Sequence, residues 1–457
     1  MPTNPHPTWS LKKVAGDIAG RIVPIPIPIV HSGAGAVQEV GEILKRFGCK
    51  KPLLVTDKDL VQVGLIQPIV DNIVGAGLSC VVFDSVIPNV PSKIVEQGFV
   101  VYKDNECDCL VAVGGGSPMD CAKVIGAKLA NPKPIEKYEG FFRVTMLANL
   151  FGKLPPLIAI PTTAGTGSEV TCAAVISIEE EQKKISIVDV GLVPQEVILD
   201  PELTVKLPKS VTAATGIDAL THAIESYLSR WHTAYSKRNS LMAIERIFKH
   251  LLTCYHHGDN LEAREQTLQA SMEAGLAFTR VSVGYVHAIA HQFGGMFHTP
   301  HGVANAMLLP HVLDWYLADE SDGGRCIQLY FEMAQAAGLA SHYQEHSPDD
   351  KKRLGRKFVE AIRSMCAEMK IPQTVPQMKA SDLNTISVRA AKEAHGELFG
   401  GFAQAPVAHA VDLGYPVPKH AGIMELESIA SHCLIPEEQA IWESQYKNVQ
   451  TQHTSKL

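Results

Sequence analysis

Val111-Ala112-Val113-Gly114-Gly115-Gly116-Ser117-Pro118-Met119-Asp120 runs from an apolar, β-branched stretch through three glycines into a segment of helical periodicity. Short apolar runs of this kind read as buried strands, and Pro118 suits a first helical turn, where its missing N–H is not needed. The glycines permit unusual backbone angles and close approach of a ligand. A helix that starts there offers free N–H groups and a partial positive charge to a pyrophosphate. The stretch is neither G-x-G-x-x-G nor a P-loop, so phosphate binding rests on the strand before it and the helix after it. A tight strand-to-helix connection without a ligand would also use glycine.

The same texture extends in both directions. Leu53-Leu54-Val55-Thr56, Cys80-Val81-Val82-Phe83, Leu110 to Val113 and Leu157-Ile158-Ala159-Ile160 read as further buried strands. Amphipathic segments lie between them, at Val37 to Phe47, Leu65 to Val74 and Met119 to Leu129. This alternation, from residue 31 to about 205, predicts a parallel sheet covered on both faces, with ligands at the carboxyl ends of the strands. Thr56-Asp57, Gly114 to Ser117 and Pro161 to Ser168 occupy such ends. Asp57 could accept hydrogen bonds from an adenosine ribose and would repel a 2′-phosphate, although an aspartate in a turn is also ordinary. Upstream, Pro24-Ile25-Pro26-Ile27-Pro28-Ile29 is expected to be extended and suits an edge strand, because each proline disfavours helix in the residue before it.

After Asp200-Pro201 the strand pattern nearly vanishes. Ala219 to Leu228, Ser240 to Leu252 and Leu261 to Phe278 are helical in period, which places a boundary near 205–210. The expected division is an α/β unit over residues 1–207, with residues 1–30 as an N-terminal extension, and an all-α unit over residues 208–457.

The chain has 457 residues, 46% hydrophobic and 19% charged, with a net charge of −7. That mix can bury large cores. The absence of any long Lys/Arg run argues against a nucleic-acid partner, and no apolar run reaches the about 20 residues needed to cross a bilayer. Ten scattered cysteines read as reduced thiols in the cytoplasm, and the one close pair, Cys107 and Cys109, is a weak zinc signal without a second cluster.

Two helical segments carry the strongest chemistry. In Gly216-Ile217-Asp218-Ala219-Leu220-Thr221-His222-Ala223-Ile224-Glu225, Asp218 and His222 are four residues apart and share a face. In His287-Ala288-Ile289-Ala290-His291, the two histidines do the same, and Thr299-Pro300-His301-Gly302 presents another at the start of the next helix. Imidazoles with one carboxylate suit Fe²⁺, Zn²⁺ or a similar ion. Spacing alone leaves open which three or four of Asp218, His222, His287, His291 and His301 coordinate it.

These segments, together with Gly114-Gly115-Gly116-Ser117 and Pro161-Thr162-Thr163-Ala164-Gly165-Thr166-Gly167-Ser168-Glu169, resemble the signature segments of iron-containing (group III) alcohol dehydrogenases, in order and spacing, over residues 30 to 315. The resemblance implies a dehydroquinate synthase-like fold: an N-terminal parallel-sheet dinucleotide-binding domain and a C-terminal helical metal-binding domain. It implies metal ligands Asp218, His222, His287 and His301, with His291 as a neighbour in proton relay or substrate contact. It also implies cofactor contacts from Asp57, Asn89, Gly115, Gly116, Ser117, Thr162, Thr163, Thr166 and Lys184, with Phe278 beside the nicotinamide or substrate. The implied cofactors are NAD, rather than NADP, and a divalent metal, Fe²⁺ before Zn²⁺. The implied reaction is reversible hydride transfer between a small alcohol and the nicotinamide, in a homodimer or larger homo-oligomer. A hydroxyacid–oxoacid transhydrogenase and a dehydroquinate synthase-like lyase are the competing readings. The lyase would need several bases near the metal, and this neighbourhood is poor in them apart from Arg280. Arg280, the long N-terminal extension and the region from Ala391 to Pro418 depart from the family pattern.

Overall fold

The computed structural model describes residues 24–144, 153–181, 183–318, 324–341, 346–394 and 421–444. Its strands are β1 (Ile29–Ser32), β2 (Pro52–Asp57), β3 (Val81–Val86), β4 (Cys109–Gly114), β5 (Gly140–Phe141), β6 (Leu157–Pro161), β7 (Ala173–Ile178), β8 (Lys183–Val188) and β9 (Glu196–Leu199). Six of them form one sheet in the order β1-β9-β6-β4-β2-β3, parallel throughout. The sheet is buried on both faces, and the side chains alternate between two cores. Leu53, Leu110 and Ala112 face one core, with α4 (Ser92–Asp104) and α5 (Gly116–Ala130). Leu54, Val111 and Val113 face the other, with α1 (Val40–Arg46) and α3 (Ile66–Gly75), while the short α2 (Lys58–Gln62) follows β2 directly. The connection from β2 goes to β3 on one side, and that from β4 goes to β6 on the other. The crevice outside the carboxyl ends of β2 and β4 is therefore the switch point at which such sheets bind ligands.

The prolines at 24, 26 and 28 do not join the sheet. Proline has no N–H to give a ladder, and β1 begins at Ile29, whose N–H donates to the Gln195 carbonyl; it is the edge strand. A second sheet, β5-β8-β7, was not anticipated, although Ala173–Ile178 alternates half-buried and buried residues.

From Lys209 onward the described residues contain helices and no strands: α6 (Lys209–Leu228), α7 (Ala234–His256), α8 (Leu261–Val281), α9 (Tyr285–Phe297), α10 (His301–Leu317), α11 (Arg325–Ala336), α12 (Pro348–Glu368), α13 (Leu383–Ala394) and α14 (Ile423–Ser431). Helix α6 is buried continuously from Gly216 to Leu228, so it is the axis on which the other helices pack rather than an amphipathic surface helix. None of the described helices is long and apolar enough to cross a membrane.

Candidate active site

Helix α6 presents Asp218 and His222 from one face. Helix α9 supplies His287 from its first turn, and His301 is the first residue of α10, following Pro300. One ligand-capable atom from each of these four residues lies within 4.8 Å of all the others. Asp218 Oδ1 is 3.5 Å from His301 Nε2 and 3.9 Å from His287 Nε2. His222 stacks on His287, with ring centroids 4.6 Å apart, and on Phe278 of α8 at 4.3 Å. Asp218, His222 and His287 are buried, while the His301 side chain is 39% exposed and marks the open side.

Burial keeps these imidazoles neutral. It is the leading cause that lowers the pKa of His222, holds His287 well below the usual histidine range and brings His301 down to about 4. Their lone pairs therefore face a shared centre. Asn305 Nδ2 sits at that centre, 2.6 Å from Asp218 Oδ1 and 3.2 Å from both His287 Nε2 and His301 Nε2. An amide has two hydrogens for these three acceptors. Buried His222 Nδ1 and Asn305 Oδ1 find no hydrogen-bond partner among the described residues. An acceptor-rich, buried set of three imidazoles and one carboxylate fits a divalent cation.

Glu225, one turn beyond His222, fixes this geometry. Its Oε2 accepts from His287 Nδ1 at 2.6 Å and from Gly284 N at 2.8 Å, and its Oε1 accepts from Val286 N at 2.8 Å. Burial pushes the Glu225 carboxyl up to about 8, against the pull of the backbone N–H groups of Gly284, Val286 and His287. With Nδ1–H committed to Glu225, Nε2 of His287 is left as the lone-pair nitrogen facing Asp218. Glu225 lies within a segment that the sequence singled out, and Asn305 three residues beyond another. Their roles were invisible there, because each acts on partners distant in sequence.

His291 stays outside the four-residue cluster. Its ring stacks on His301 at 5.3 Å, and Nδ1 is 2.5 Å from Glu393 Oε1 on α13. Glu393 Oε2 also accepts from Gln292 Nε2 at 3.0 Å. Arg280 is occupied elsewhere: its guanidinium covers the Tyr235 ring at 4.5 Å and donates to the carbonyls of Leu276 and Ile25. It thus ties the N-terminal segment to α8. Of the divergent region from Ala391 to Pro418, residues 395–418 lie outside the described residues.

On the sheet side, Gly114 has φ +147°, and a Cβ there would lie 2.6 Å from Pro118 Cγ, so the turn demands glycine. Gly115 caps α5 and runs against Thr163, and Gly116 against Thr166. Ser117 follows in the first turn of the helix, and buried Thr162 donates its N–H to the Gly114 carbonyl at 3.0 Å. Asp57 ends β2 beside this turn and caps α2 by accepting from Leu60 N at 2.9 Å; its pKa is raised, chiefly by burial. Asn89 Oδ1 accepts from Lys184 Nζ at 2.8 Å, which joins the loop after β3 to the β7–β8 hairpin. Lys184 Nζ also approaches Gly294 of α9. The loop Pro161–Ser168 connects the two halves: a Cβ at Gly165 would lie 2.6 Å from Thr215 Cβ on α6, one turn before Asp218. Half-buried Asp120 and buried Lys123 of α5 brace that loop through Ser168 Oγ, at 2.9 and 3.0 Å.

Known proteins share the sequence and the fold of both halves. The iron-containing alcohol dehydrogenase profile matches residues 28–201, and the C-terminal profile of the Fe-containing alcohol dehydrogenase family matches residues 212–412. The chain is 42% identical to 1,3-propanediol dehydrogenase of Klebsiella pneumoniae over 287 residues, 62% of this chain and 73% of that protein. It is 40% identical to NAD-dependent methanol dehydrogenase of Bacillus methanolicus over 290 residues, 64% of this chain and 74% of the relative. A crystal structure of 1,3-propanediol oxidoreductase superposes with a TM-score of 0.79 at 33% identity, covering 90% of this chain and 99% of the other. Sulfoacetaldehyde reductase from Bifidobacterium kashiwanohense, solved in complex with NAD+, superposes with a TM-score of 0.73 at 27% identity, covering 90% and 99%. Two family profiles spanning both halves, on a fold that brings their signature segments together, leave one assignment: the chain is a member of the iron-containing alcohol dehydrogenase family, metal-dependent oxidoreductases acting on CH–OH groups.

Proposed function

We propose that this chain interconverts a small alcohol and its aldehyde or ketone with NAD(H), using one divalent ion held by Asp218, His222, His287 and His301. The observation that carries the reading is the convergence of those four side chains within 4.8 Å on helices joined, through Gly165 and Thr215, to the glycine turn. When bound, the ion supplies Lewis-acid polarisation of the substrate oxygen, and the nicotinamide accepts or returns hydride.

The chain's own residues do the rest. Glu225 holds His287 in the tautomer that leaves Nε2 free to coordinate. Gly115, Gly116 and Ser117, at the start of α5, offer N–H groups to the pyrophosphate, with Thr162, Thr163 and Thr166 on the facing loop. Asp57 receives the adenosine ribose and discriminates against a 2′-phosphate, which favours NAD over NADP. Asn89 and Lys184 line the cofactor side of the cleft, and Phe278, stacked on His222, walls the reacting centre. His291, with Nδ1 engaged by Glu393, keeps Nε2 for proton exchange with the substrate oxygen, directly or through water. The junction of the two halves holds both reactants and excludes bulk water.

Iron is the metal we assign, on the family, with zinc sharing the same ligand types. A homo-oligomer is supported by β1, the edge strand among the described residues, where Ile27 and Ile29 are exposed. Ten free thiols suit the cytoplasm.

The test is reduction of NAD and NADP by a panel of primary alcohols, diols and hydroxyacids, on protein stripped of metal and reloaded with Fe²⁺ or Zn²⁺ without oxygen. Metal-dependent activity that prefers NAD supports the reading. Turnover of a hydroxyacid with an oxoacid and no added cofactor would replace it with a transhydrogenase.

A further inference from the structure

The far end of the sheet carries a second cluster of metal-ligating side chains. Cys49 precedes β2, Cys80 precedes β3, Cys107 precedes β4, and Cys109 begins it, so four thiols lie at the amino ends of three strands. Cys109 and Gly114 are opposite ends of one six-residue strand, which places the thiols about 16 Å from the glycine turn at the usual rise. The close sequence pair is split by the fold: Cys107 packs into one core, whereas Cys109 packs into the other beside Cys49.

One ligand-capable atom each from Cys49, Asp108 and Cys109 lies within 4.8 Å of the other two. Both thiols are buried, and the carboxylate is at the surface. The carboxylate is held in place, with Oδ2 accepting from Lys50 N at 2.6 Å and Oδ1 from Lys51 N at 3.0 Å. Asp108 N donates in return to the Lys51 carbonyl at 3.1 Å, so the turn that carries Cys49 is tied to the residue before Cys109. Each carboxylate oxygen keeps a second lone pair. Tetrahedral zinc–thiolate geometry needs sulfurs about 3.8 Å apart, inside the 4.8 Å within which these atoms lie.

We propose that Cys49, Cys109 and Asp108 form a second metal site, for a thiophilic divalent cation of the Zn²⁺ class, with the fourth position open to water at the surface. Binding displaces one proton from each thiol to solvent, and two thiolates and a carboxylate then face the dication. The site joins the base of β2 to the base of β4 and is structural. Its sulfur-rich donors differ from the N/O set at Asp218, so the two sites can hold different metals in one chain.

The full-length protein, stripped and kept anaerobic, is titrated with Co²⁺, which gives a thiolate-to-cobalt charge-transfer absorption only when sulfur coordinates. The expected result is two equivalents per chain, one of which carries that absorption and loses it on a Zn²⁺ chase. Cys49→Ala should remove the absorption and one equivalent while leaving alcohol oxidation intact; His222→Ala should remove the other equivalent and leave the absorption. Should Cys49→Ala fail to fold, Asp108→Asn at the surface still weakens the sulfur-bound equivalent at least tenfold. A single equivalent without thiolate absorption in the wild type overturns the proposal, as does absorption unchanged in Asp108→Asn and Cys49→Ala.

Discussion

His287 Nδ1 stands 2.6 Å from Glu225 Oε2, and the same carboxylate accepts the N–H groups of Gly284 and Val286 at the mouth of α9. One buried side chain therefore sets both the start of the helix and the tautomer of the histidine on it. Glu225→Gln places an amide N–H₂ against backbone donors. It should lower metal affinity by about 10- to 100-fold, the usual cost of losing such an outer partner. Chelator competition measures this, with circular dichroism confirming a folded chain; an unchanged affinity would detach Glu225 from the site.

His291 separates ligand from relay. It lies outside the four-residue cluster and leans on Glu393. His291→Asn should keep a full equivalent of metal and lower kcat by about 10²-fold, the scale of general acid–base assistance. Loss of metal in this variant would make His291 a ligand instead.

Asp57 does two things that one substitution can part. Its carboxylate caps α2 through Leu60 N, and its charge opposes a 2′-phosphate. Asparagine caps helices as well as aspartate does, so Asp57→Asn should leave Tm within a degree or two. It should also raise kcat/KM with NADP by about tenfold, equivalent to ~1.4 kcal/mol. Tenfold gain with a large drop in Tm would point to a loosened loop rather than to charge.

The histidine cluster fixes the sign of a pH effect. His222, His287 and His301 have pKa values below the unfolded value of about 6.5, the last at about 4, so the unfolded chain binds more protons in that window. The cluster's own contribution to the stability of metal-free protein is complete above pH ~6.5 and falls as pH drops toward ~4, opposite in sign to that of the buried Glu225 carboxyl, whose raised pKa favours acid. A bound ion, which excludes protons from the same nitrogens, shifts that loss to lower pH. Thermal melts of metal-free and reloaded protein, and of metal-free His301→Ala, across this range check it; a wild type that loses no more stability on acidification than the variant would contradict it.

Much of this was legible in the chain because it is local. The strand, glycine turn and helix around Gly114 follow from residue type and period, and so does the shared face of Asp218 and His222, four residues apart on α6. Placing His301 rather than His291 among the ligands needed the family resemblance, since both are histidines on apolar helices. The feature that separates them, that His301 and not His291 lies within 4.8 Å of Asp218, His222 and His287 in one cluster, depends on how three helices pack. Glu225 escaped for the same reason, as its partners lie 59 to 62 residues on. The β7–β8 hairpin carries no mark in the sequence because Glu179 to Glu181, which follow β7, include none of the glycine, proline or asparagine that usually signals a turn. Cys49 and Cys109 are 60 residues apart, and the neighbour of Cys109 in sequence, Cys107, packs into the other core.

The central claim is that Asp218, His222, His287 and His301 hold one divalent ion. Anomalous diffraction, collected at the iron and zinc edges from crystals of anaerobically reloaded protein, tests it most directly. The account expects a peak about 2.0–2.2 Å from one atom of each residue, absent in His287→Ala. Active crystals with no peak there, or a peak coordinated by His291 in place of His301, would contradict it.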